Sequence, residues 1–205
     1  MLMSDPEQQI RAAFEAHQLD TAASATLEAY GEELLSFLYA RLRSPSDARE
    51  VFSIFAEDLW TGLPAFAWRC SVRTWVYTLA RNAASRYLSS PQRDAARYVT
   101  LSQVQSYAEV VERLRTATDL YRQTTIKDRF RLLREQLDDE DQMLLILRVD
   151  RGMAWRDLAL AMSGNTELDD DAVARETARL RKAFERVKHE LRAMAAREGL
   201  LAQGD

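Results

Sequence analysis

Apolar residues recur at helical spacing along most of this chain, and a polar stretch interrupts the pattern near the middle. Between Thr21 and Leu88 the spacing predicts three helices, the second of them capped by Ser46 or Asp47 and ended by Gly62. The polar run SSPQRDAARYVTLSQVQSY has no such periodicity and predicts a linker. Helical spacing resumes near Val110 and strengthens toward the C-terminus.

The pattern therefore predicts an all-α protein with two small helical domains joined by a linker. Six glycines and four prolines in 205 residues agree with helices connected by short turns. The expected segments are an N-terminal extension at 1–21, a first domain at 22–90, a linker at 91–127, a second domain at 128–197 and a tail at 198–205.

The third predicted helix, SVRTWVYTLARNAASRYL, has one apolar stripe that is expected to be core: Val72, Trp75, Val76, Leu79, Ala80 and Ala83. Its opposite side is expected to be exposed and to present cations, an aromatic ring and small polar groups: Arg73, Thr74, Tyr77, Thr78, Arg81, Asn82, Ser85 and Arg86. Such side chains suit phosphate contacts and base stacking, although an ordinary solvated helix face is the alternative.

The second domain reads as three helices with a turn between the last two. Asp138 is predicted to cap the first helix, and the segment MAWRDLALAMSG is predicted to form a short helix that Gly164 stops. An acidic loop at 163–171 precedes a long basic helix. We expect this loop to be solvated or to cap that helix. This order outlines a helix-turn-helix, which other small helical bundles can imitate.

The charge pattern is uneven along the chain. The net charge is −4 at pH 7, the wrong overall sign for a protein that binds nucleic acid over its whole surface. Residues 68–97, however, hold six arginines and one acid, and residues 172–197 hold eight basic and three acidic residues. Two basic segments in an acidic chain indicate localised nucleic-acid binding, with solvated helix faces as the alternative.

The remaining composition excludes several classes of site. One cysteine and two isolated histidines provide neither a disulfide framework nor zinc-ligand spacing, so no metal or cofactor is expected. Cys70 is interpreted as a small buried residue, with a redox sensor as the less favoured alternative. No glycine-rich phosphate loop or catalytic triad is visible, so an enzyme is not expected. The sequence also predicts no membrane insertion, no signal peptide and a cytoplasmic protein.

Three segments, SPSDAREVFSIFAEDLW, LPAF and CSVRTWVYTLARNAA, resemble in order and spacing region two of a known family. That family is the extracytoplasmic-function group of sigma-70 type RNA polymerase sigma factors, and SxRTWxYxxARNxA is the most specific run. The segments LLREQLDDEDQMLLILRVDRGMAWRDLALAM and ARLRKAFERVKHELR resemble the helix-turn-helix of its region four.

The resemblance implies an alternative sigma factor that directs promoter recognition and transcription initiation. Its first domain would bind the clamp helices of the largest subunit of core RNA polymerase through Asp47, Glu50, Ser53, Ile54 and Glu57. That domain would also capture the melted −10 element of promoter DNA, with a flipped base held by the loop 67–71. The side chains implied are Trp68, Arg69, Arg73, Tyr77, Arg81, Asn82 and Arg86, with Trp75 packed beneath them.

The second domain would read the −35 element as duplex DNA through its basic final helix. The residues implied are Arg175, Arg179, Arg181, Lys182 and Arg186. An anti-sigma factor is the expected regulatory partner, with the linker allowing the two domains to separate.

The sequence departs from the family at three places. Ser53 and Ile54 stand where the family usually has a glutamine-acid pair, Trp68-Arg69 where it has a glycine and an acid, and the 163–171 turn is longer and more acidic. Two alternatives therefore stay open: a sigma-like regulator that no longer docks on polymerase, and a helix-turn-helix repressor that uses only the second domain.

Overall fold

The computed structural model describes residues 5–89, 105–117 and 132–200. The chain divides into two compact units, Met1–Leu120 and Tyr121–Asp205. Across the described residues the regular structure is helical and contains no strand, so the predicted all-α class is confirmed. Four parts of the expected segments lie outside the described residues: 1–4, 90–104 with Arg93 and Arg97, 118–131, and 201–205.

The first unit contains five described helices. They are α1 (Pro6–Glu15), α2 (Leu19–Leu42), α3 (Pro45–Gly62), α4 (Val72–Ser89) and α5 (Gln105–Ala117). A single 3-10 turn, Leu63–Ala65, follows α3.

The start of α3 differs from the prediction that Ser46 or Asp47 caps it. Ser44 is the cap, because its Oγ accepts the backbone N–H of Asp47 at 3.3 Å. Pro45 occupies the first helical position, where its fixed φ suits the helix and its missing N–H removes no hydrogen bond. The cap therefore belongs to the residue before the proline. The predicted end at Gly62 is confirmed.

Helices α2, α3 and α4 form the core of the first unit through side chains that are fully buried. These include Leu34, Leu38, Phe52, Phe55, Leu59 and Val76. Helices α1 and α5 both pack on α2, so parts of the expected N-terminal extension and linker join this unit. A Cβ at Gly31 would collide with a terminal methyl group of Leu114 on α5, so a larger residue there would force the Leu114 side chain to move.

The second unit contains α6 (Asp139–Leu145), a π-helical turn (Ile146–Asp150), α7 (Trp155–Ser163) and α8 (Asp170–Arg197). The predicted cap is confirmed, since Asp138 Oδ1 accepts the Asp141 N–H at 2.8 Å. Gly164 ends α7 in the left-handed conformation, as predicted.

The core of this unit lies under α8. Leu137, Leu145 and Val187 form a buried cluster, against which Phe184, Leu191 and Met194 pack. Helix α8 thereby contacts both α6 and α7. Among the described helices of the whole chain, none is both long and apolar enough to cross a membrane.

Candidate nucleic-acid interface

The loop between α3 and α4 positions the residues expected at the −10 element. Trp68 has a positive φ of 57°, which turns the chain sharply inside the loop. Ser71 then prepares the start of α4, because its Oγ accepts the N–H of Thr74 at 3.0 Å. Arg69 is exposed and Trp68 is half-buried, so both side chains reach the surface of the first unit.

A row of four aromatic rings runs from α1 through this loop into α4. Phe14 meets the edge of Trp68 with centroids 5.4 Å apart, and Trp68 lies 5.0 Å from Phe66. Phe66 stacks on Trp75 at 4.5 Å with an interplanar angle of 20°. The guanidinium carbon of Arg11 lies 5.2 Å from the centre of the Trp68 ring. Trp75, the last ring of the row, is buried, as expected.

Helix α1 also binds the first turn of α4. The two carboxylate oxygens of Glu7 accept the backbone N–H groups of Val72 and Arg73, each at 3.0 Å. These amides open α4 and have no partner within the helix, and the helix dipole favours an anion there. The hydroxyl of Tyr30 donates to Glu7 Oε1 at 3.1 Å. Burial, followed by the charge of Glu7, raises the pKa of Tyr30.

The prediction that this face of α4 is exposed is wrong for the first two turns of the helix. Thr74, Tyr77 and Thr78 are 1%, 1% and 3% exposed, respectively. Tyr77 meets the edge of Phe37 on α2 at a centroid distance of 5.4 Å. The physical reason is that α4 is packed by α3 on one side and by α2 on another, whereas the apolar stripe indicated a single buried side.

Arg73 is half-buried and also contacts α2. Its Nε and Nη2 atoms donate to the two carboxylate oxygens of Glu33 at 2.9 and 3.1 Å. The guanidinium lies 5.7 Å from the centre of the Tyr77 ring. The hydrogen bond to Glu33 raises the pKa of Arg73 and so favours the charged guanidinium.

The remaining expected −10 residues lie toward the C-terminal half of α4. Arg81 and Asn82 are half-buried neighbours, with Arg81 Nη1 3.5 Å from Asn82 Oδ1. Arg86 is exposed and forms an ion pair with Asp58 of α3. Arg73 therefore faces α2 and Arg86 faces α3, so the expected set does not share one helix face.

Helix α3 presents most of the residues expected to bind polymerase. Asp47, Glu50, Ile54 and Glu57 are all partly exposed. Ser53 is an exception, because it is 7% exposed and its Oγ donates to the carbonyl of Arg49 on the preceding turn. The expectation that Ser53 is exposed to a partner is wrong, because Ser53 lies on a buried side of α3.

Two of the basic residues expected at the −35 element fasten α8 to α6. Arg179 donates to Glu140 of α6 at 2.7 Å and to Glu176 of its own helix at 2.9 and 2.8 Å. Arg186 donates to Asp141 of α6 at 2.7 Å. Hydrogen bonds to these carboxylates raise the pKa of both arginines.

All five residues of that set are exposed, and the other three divide between two sides of α8. Arg175 and Lys182 are seven residues apart and so lie on one stripe. Arg181 lies on another side, 5.5 Å from the centre of the Trp155 ring of α7. In the acidic turn before α8, Asp169 caps the helix and Asp170 pairs with Arg156.

The sequence interpretation missed the contribution of α1 and of Glu33. The start of α1 was readable, because Asp5-Pro6 is a typical helix beginning and Asp5 does cap it. Its partners were not readable, because Glu7 and Val72 are far apart in sequence. No cluster of potential metal ligands occurs among the residues that the structure describes.

Residues 26–94 match the family model described as sigma-70 region 2. The matched range begins within α2 and includes all of α3 and α4, together with the loop that carries Trp68. A search of curated proteins gave no match to the chain. The family match supports a sigma-70 family member with a region 2 domain. Members of this family are transcription initiation factors, not enzymes.

Proposed function

We propose that this chain is an alternative sigma factor of the extracytoplasmic-function group, which binds core RNA polymerase and directs it to promoters. The observation that carries the proposal is the match of residues 26–94 to sigma-70 region 2. These residues hold the loop with Trp68 and Arg69, which suits the capture of unstacked bases. No cofactor is needed for this role.

In this proposal the −10 element binds at the Trp68 end of the aromatic row and along the C-terminal half of α4. Unstacked bases gain free energy by stacking on aromatic rings, and nearby arginines neutralise the strand's phosphates. Trp68 and Arg69 provide these groups in the loop, and Arg11 adds a cation beside the same ring. Arg81 and Asn82 extend the surface along α4. Arg73, Tyr77 and Trp75 act from beneath the surface by positioning α4.

Core polymerase is proposed to dock on the exposed acids of α3, with its clamp helices as the contact. Asp47, Glu50 and Glu57 place three carboxylates on this helix at partly exposed positions. The hydroxyl of Tyr87 donates to Asp47 Oδ1 at 3.0 Å, and this hydrogen bond links the start of α3 to the end of α4. Ile54 adds an apolar contact, whereas Ser53 is buried and takes no part.

The second unit is proposed to act as a region 4-like helix-turn-helix that reads the −35 element as duplex DNA. Helices α7 and α8 would be the two helices of that motif, and α8 would be the recognition helix. The five cations of α8 are all exposed, but Arg179 and Arg186 also pair with acids of α6, so Arg175, Arg181 and Lys182 are proposed as the main DNA contacts. The protein would act in the cytoplasm, and an anti-sigma factor would hold its two domains away from polymerase.

The decisive experiment adds the purified chain to sigma-free core polymerase and measures binding and transcript starts on genomic DNA fragments. Defined start sites that share upstream elements are expected. Glu50→Lys is expected to weaken core binding, because it reverses one charge of the α3 surface. Glu32→Lys, the same reversal at an exposed position of α2, is the matched control. Failure of the unaltered chain to bind core would refute the proposal.

Promoter opening is tested separately from docking. Arg81→Ala and Asn82→Ala are expected to reduce open-complex formation, measured by permanganate reactivity of unpaired thymines, and to spare core binding. Arg113→Ala removes one arginine of the first unit from an exposed surface pair with Glu28 and is the control. Normal opening by both α4 variants would show that the strand does not follow α4.

A second candidate function is a sigma-like regulator that has lost polymerase docking. The observation that favours it is the burial of Ser53 at a position where the resemblance implied a polymerase contact. This candidate predicts DNA binding without core binding, so the same core-binding measurement separates the two.

A further inference from the structure

Helix α5 is fastened to α3 by one fully buried tyrosine. The side chain of Tyr107 is 0% exposed, and its hydroxyl donates to the backbone carbonyl of Ala56 at 2.7 Å. The centre of its ring lies 5.2 Å from that of Trp60, one turn further along α3. Burial raises the pKa of Tyr107, so the hydroxyl remains a neutral donor. Tyr107 therefore contacts both the backbone and a side chain of α3.

The apolar side of α5 is buried against the first unit. Val110 and Val111 are buried, and Leu114 closely approaches Gly31 of α2. Helix α5 packs on both α2 and α3, so its binding site on this unit is formed by two helices.

Tyr107 contacts the stripe of α3 that also carries Ser53. At 3.6 residues per turn, Ser53 and Trp60 point within about 20° of each other, and Ala56 lies about 60° from Ser53. Leu59, which belongs to the core with α2 and α4, lies about 120° from Ser53 around the helix axis. Ser53 is nevertheless only 7% exposed. The contact of Tyr107 places α5 over this stripe, away from the core.

The same stripe belongs to the surface on which polymerase is proposed to dock. Glu57 follows Ala56, lies about 40° from Ser53 around the axis and is half-buried. The family resemblance assigned both Ser53 and Glu57 to polymerase binding. Packed helices need about 8–10 Å between their axes, so two helices cannot occupy one stripe. A helix of polymerase that reached Ser53 would have to take the place of α5.

We propose that α5 is an internal competitor for the polymerase-docking surface of α3. The proposal rests on the proposed docking of core polymerase on that helix. While α5 is bound, Asp47, Glu50 and Ile54 can meet polymerase and Ser53 takes no part; release of α5 would add Ser53 and Trp60 to the surface. Core polymerase binds the released form more tightly, so the small fraction of that form weakens the apparent affinity without abolishing it.

The first test measures the affinity of the full chain for sigma-free core polymerase. Val110→Asp places a charge at a buried position of α5 and is expected to release the helix, because burial of an unpaired charge is strongly unfavourable. A released form populated at about 10% in the unaltered chain would give about tenfold tighter core binding in this variant.

Arg113→Gln is the matched control. It changes the charge of α5 by the same amount at an exposed position, and its pair with Glu28 at 3.5 Å lies at the surface, where such pairs contribute little. Core binding by this variant is expected to equal that of the unaltered chain.

Tyr107→Phe is a milder variant that keeps the buried ring and removes the hydrogen bond to Ala56. One hydrogen bond changes an equilibrium by about two- to tenfold, and core binding is expected to tighten by a factor in this range. Cooperative thermal unfolding verifies that each variant keeps a folded first unit.

Hydrogen exchange with and without core polymerase reports on α5 directly. The amides of residues 107–114 are expected to exchange faster in the complex, while those of α3 become protected. A docking surface that included α5 would instead slow exchange in both helices.

Two results would overturn the competition. One is core binding by Val110→Asp and Tyr107→Phe that is no tighter than that of Arg113→Gln. The other is slower exchange of the α5 amides in the complex. Either result leaves the sigma-factor proposal intact, because the unaltered chain still binds core. If neither the unaltered chain nor Val110→Asp binds core, both proposals fail.

Discussion

Replacement of Glu7 tests whether α1 is a structural part of the promoter-binding surface. Its carboxylate accepts two amide hydrogens of α4 and one hydroxyl hydrogen from Tyr30. Loss of a helix-capping acceptor costs about 1 kcal/mol. Loss of the negative charge at the helix start costs about 0.3–1 kcal/mol. The unpaired hydroxyl adds a further penalty of about 1 kcal/mol. The first two contributions overlap, because both describe the same carboxylate at the start of α4, so Glu7→Ala is expected to lower the free energy of unfolding of the first unit by about 2 kcal/mol.

Native-state hydrogen exchange of the Val72 and Arg73 amides is the direct assay. A loss of about 2 kcal/mol corresponds to roughly thirtyfold faster exchange at these two positions. Glu7→Gln is expected to have about half the effect on stability, because the amide oxygen still accepts one hydrogen bond. Gln9→Ala changes an exposed residue of the same helix and serves as the control. Unchanged exchange at both amides in Glu7→Ala, or an equal change in Gln9→Ala, would refute this account of the α1–α4 contact.

Two further predictions concern the stability of α3 and α8. Burial, and then the charge of Asp58, raises the pKa of Glu57, so its ionised form opposes folding. This cost is absent below the ordinary glutamate pKa and complete above the raised one. Glu57→Gln should therefore raise the unfolding temperature at about pH 7 but not below about pH 4. Equal changes in unfolding temperature at the two pH values would contradict this prediction. Arg186→Gln should lower the free energy of unfolding in urea by about 1–2 kcal/mol, because the Asp141 side chain is only 5% exposed and loses its charged partner. An equal loss in Lys182→Gln would contradict this prediction.

The contacts of α1 add residues to the proposed −10 surface. The resemblance assigned that surface to the loop at 67–71 and to α4. Arg11 and Phe14 of α1 contact the Trp68 ring, so a base that approaches this ring also approaches α1. Helix α1, which lies in the expected N-terminal extension, is therefore part of the proposed binding surface.

The cations of the basic final helix have different surroundings in the structure. The resemblance implied Arg175, Arg179, Arg181, Lys182 and Arg186 as one DNA-binding group. All five are exposed, and Arg179 and Arg186 also pair with acids of α6, which are the same first-turn residues that stabilise the start of that helix. The sequence does not reveal such a pair, because it depends on the position of a second helix.

Local patterns in the sequence determined most of the helices. The 3.6-residue spacing of apolar positions, the cap at Asp138 and the stop at Gly164 act between neighbouring residues, and each was readable and is confirmed. The match of 26–94 to sigma-70 region 2 likewise agrees with motifs visible in the sequence.

The tertiary structure alone decided which polar residues are available to a partner. Tyr77 is buried because α4 packs against two helices, and one apolar stripe could indicate only one of them. The two ends of the Glu7 to Val72 contact lie 65 residues apart in the sequence, and arginines from two elements meet at the Trp155 ring. Helix periodicity records which side of a helix is apolar, but burial of a polar side chain depends on whether a distant residue can pair with it.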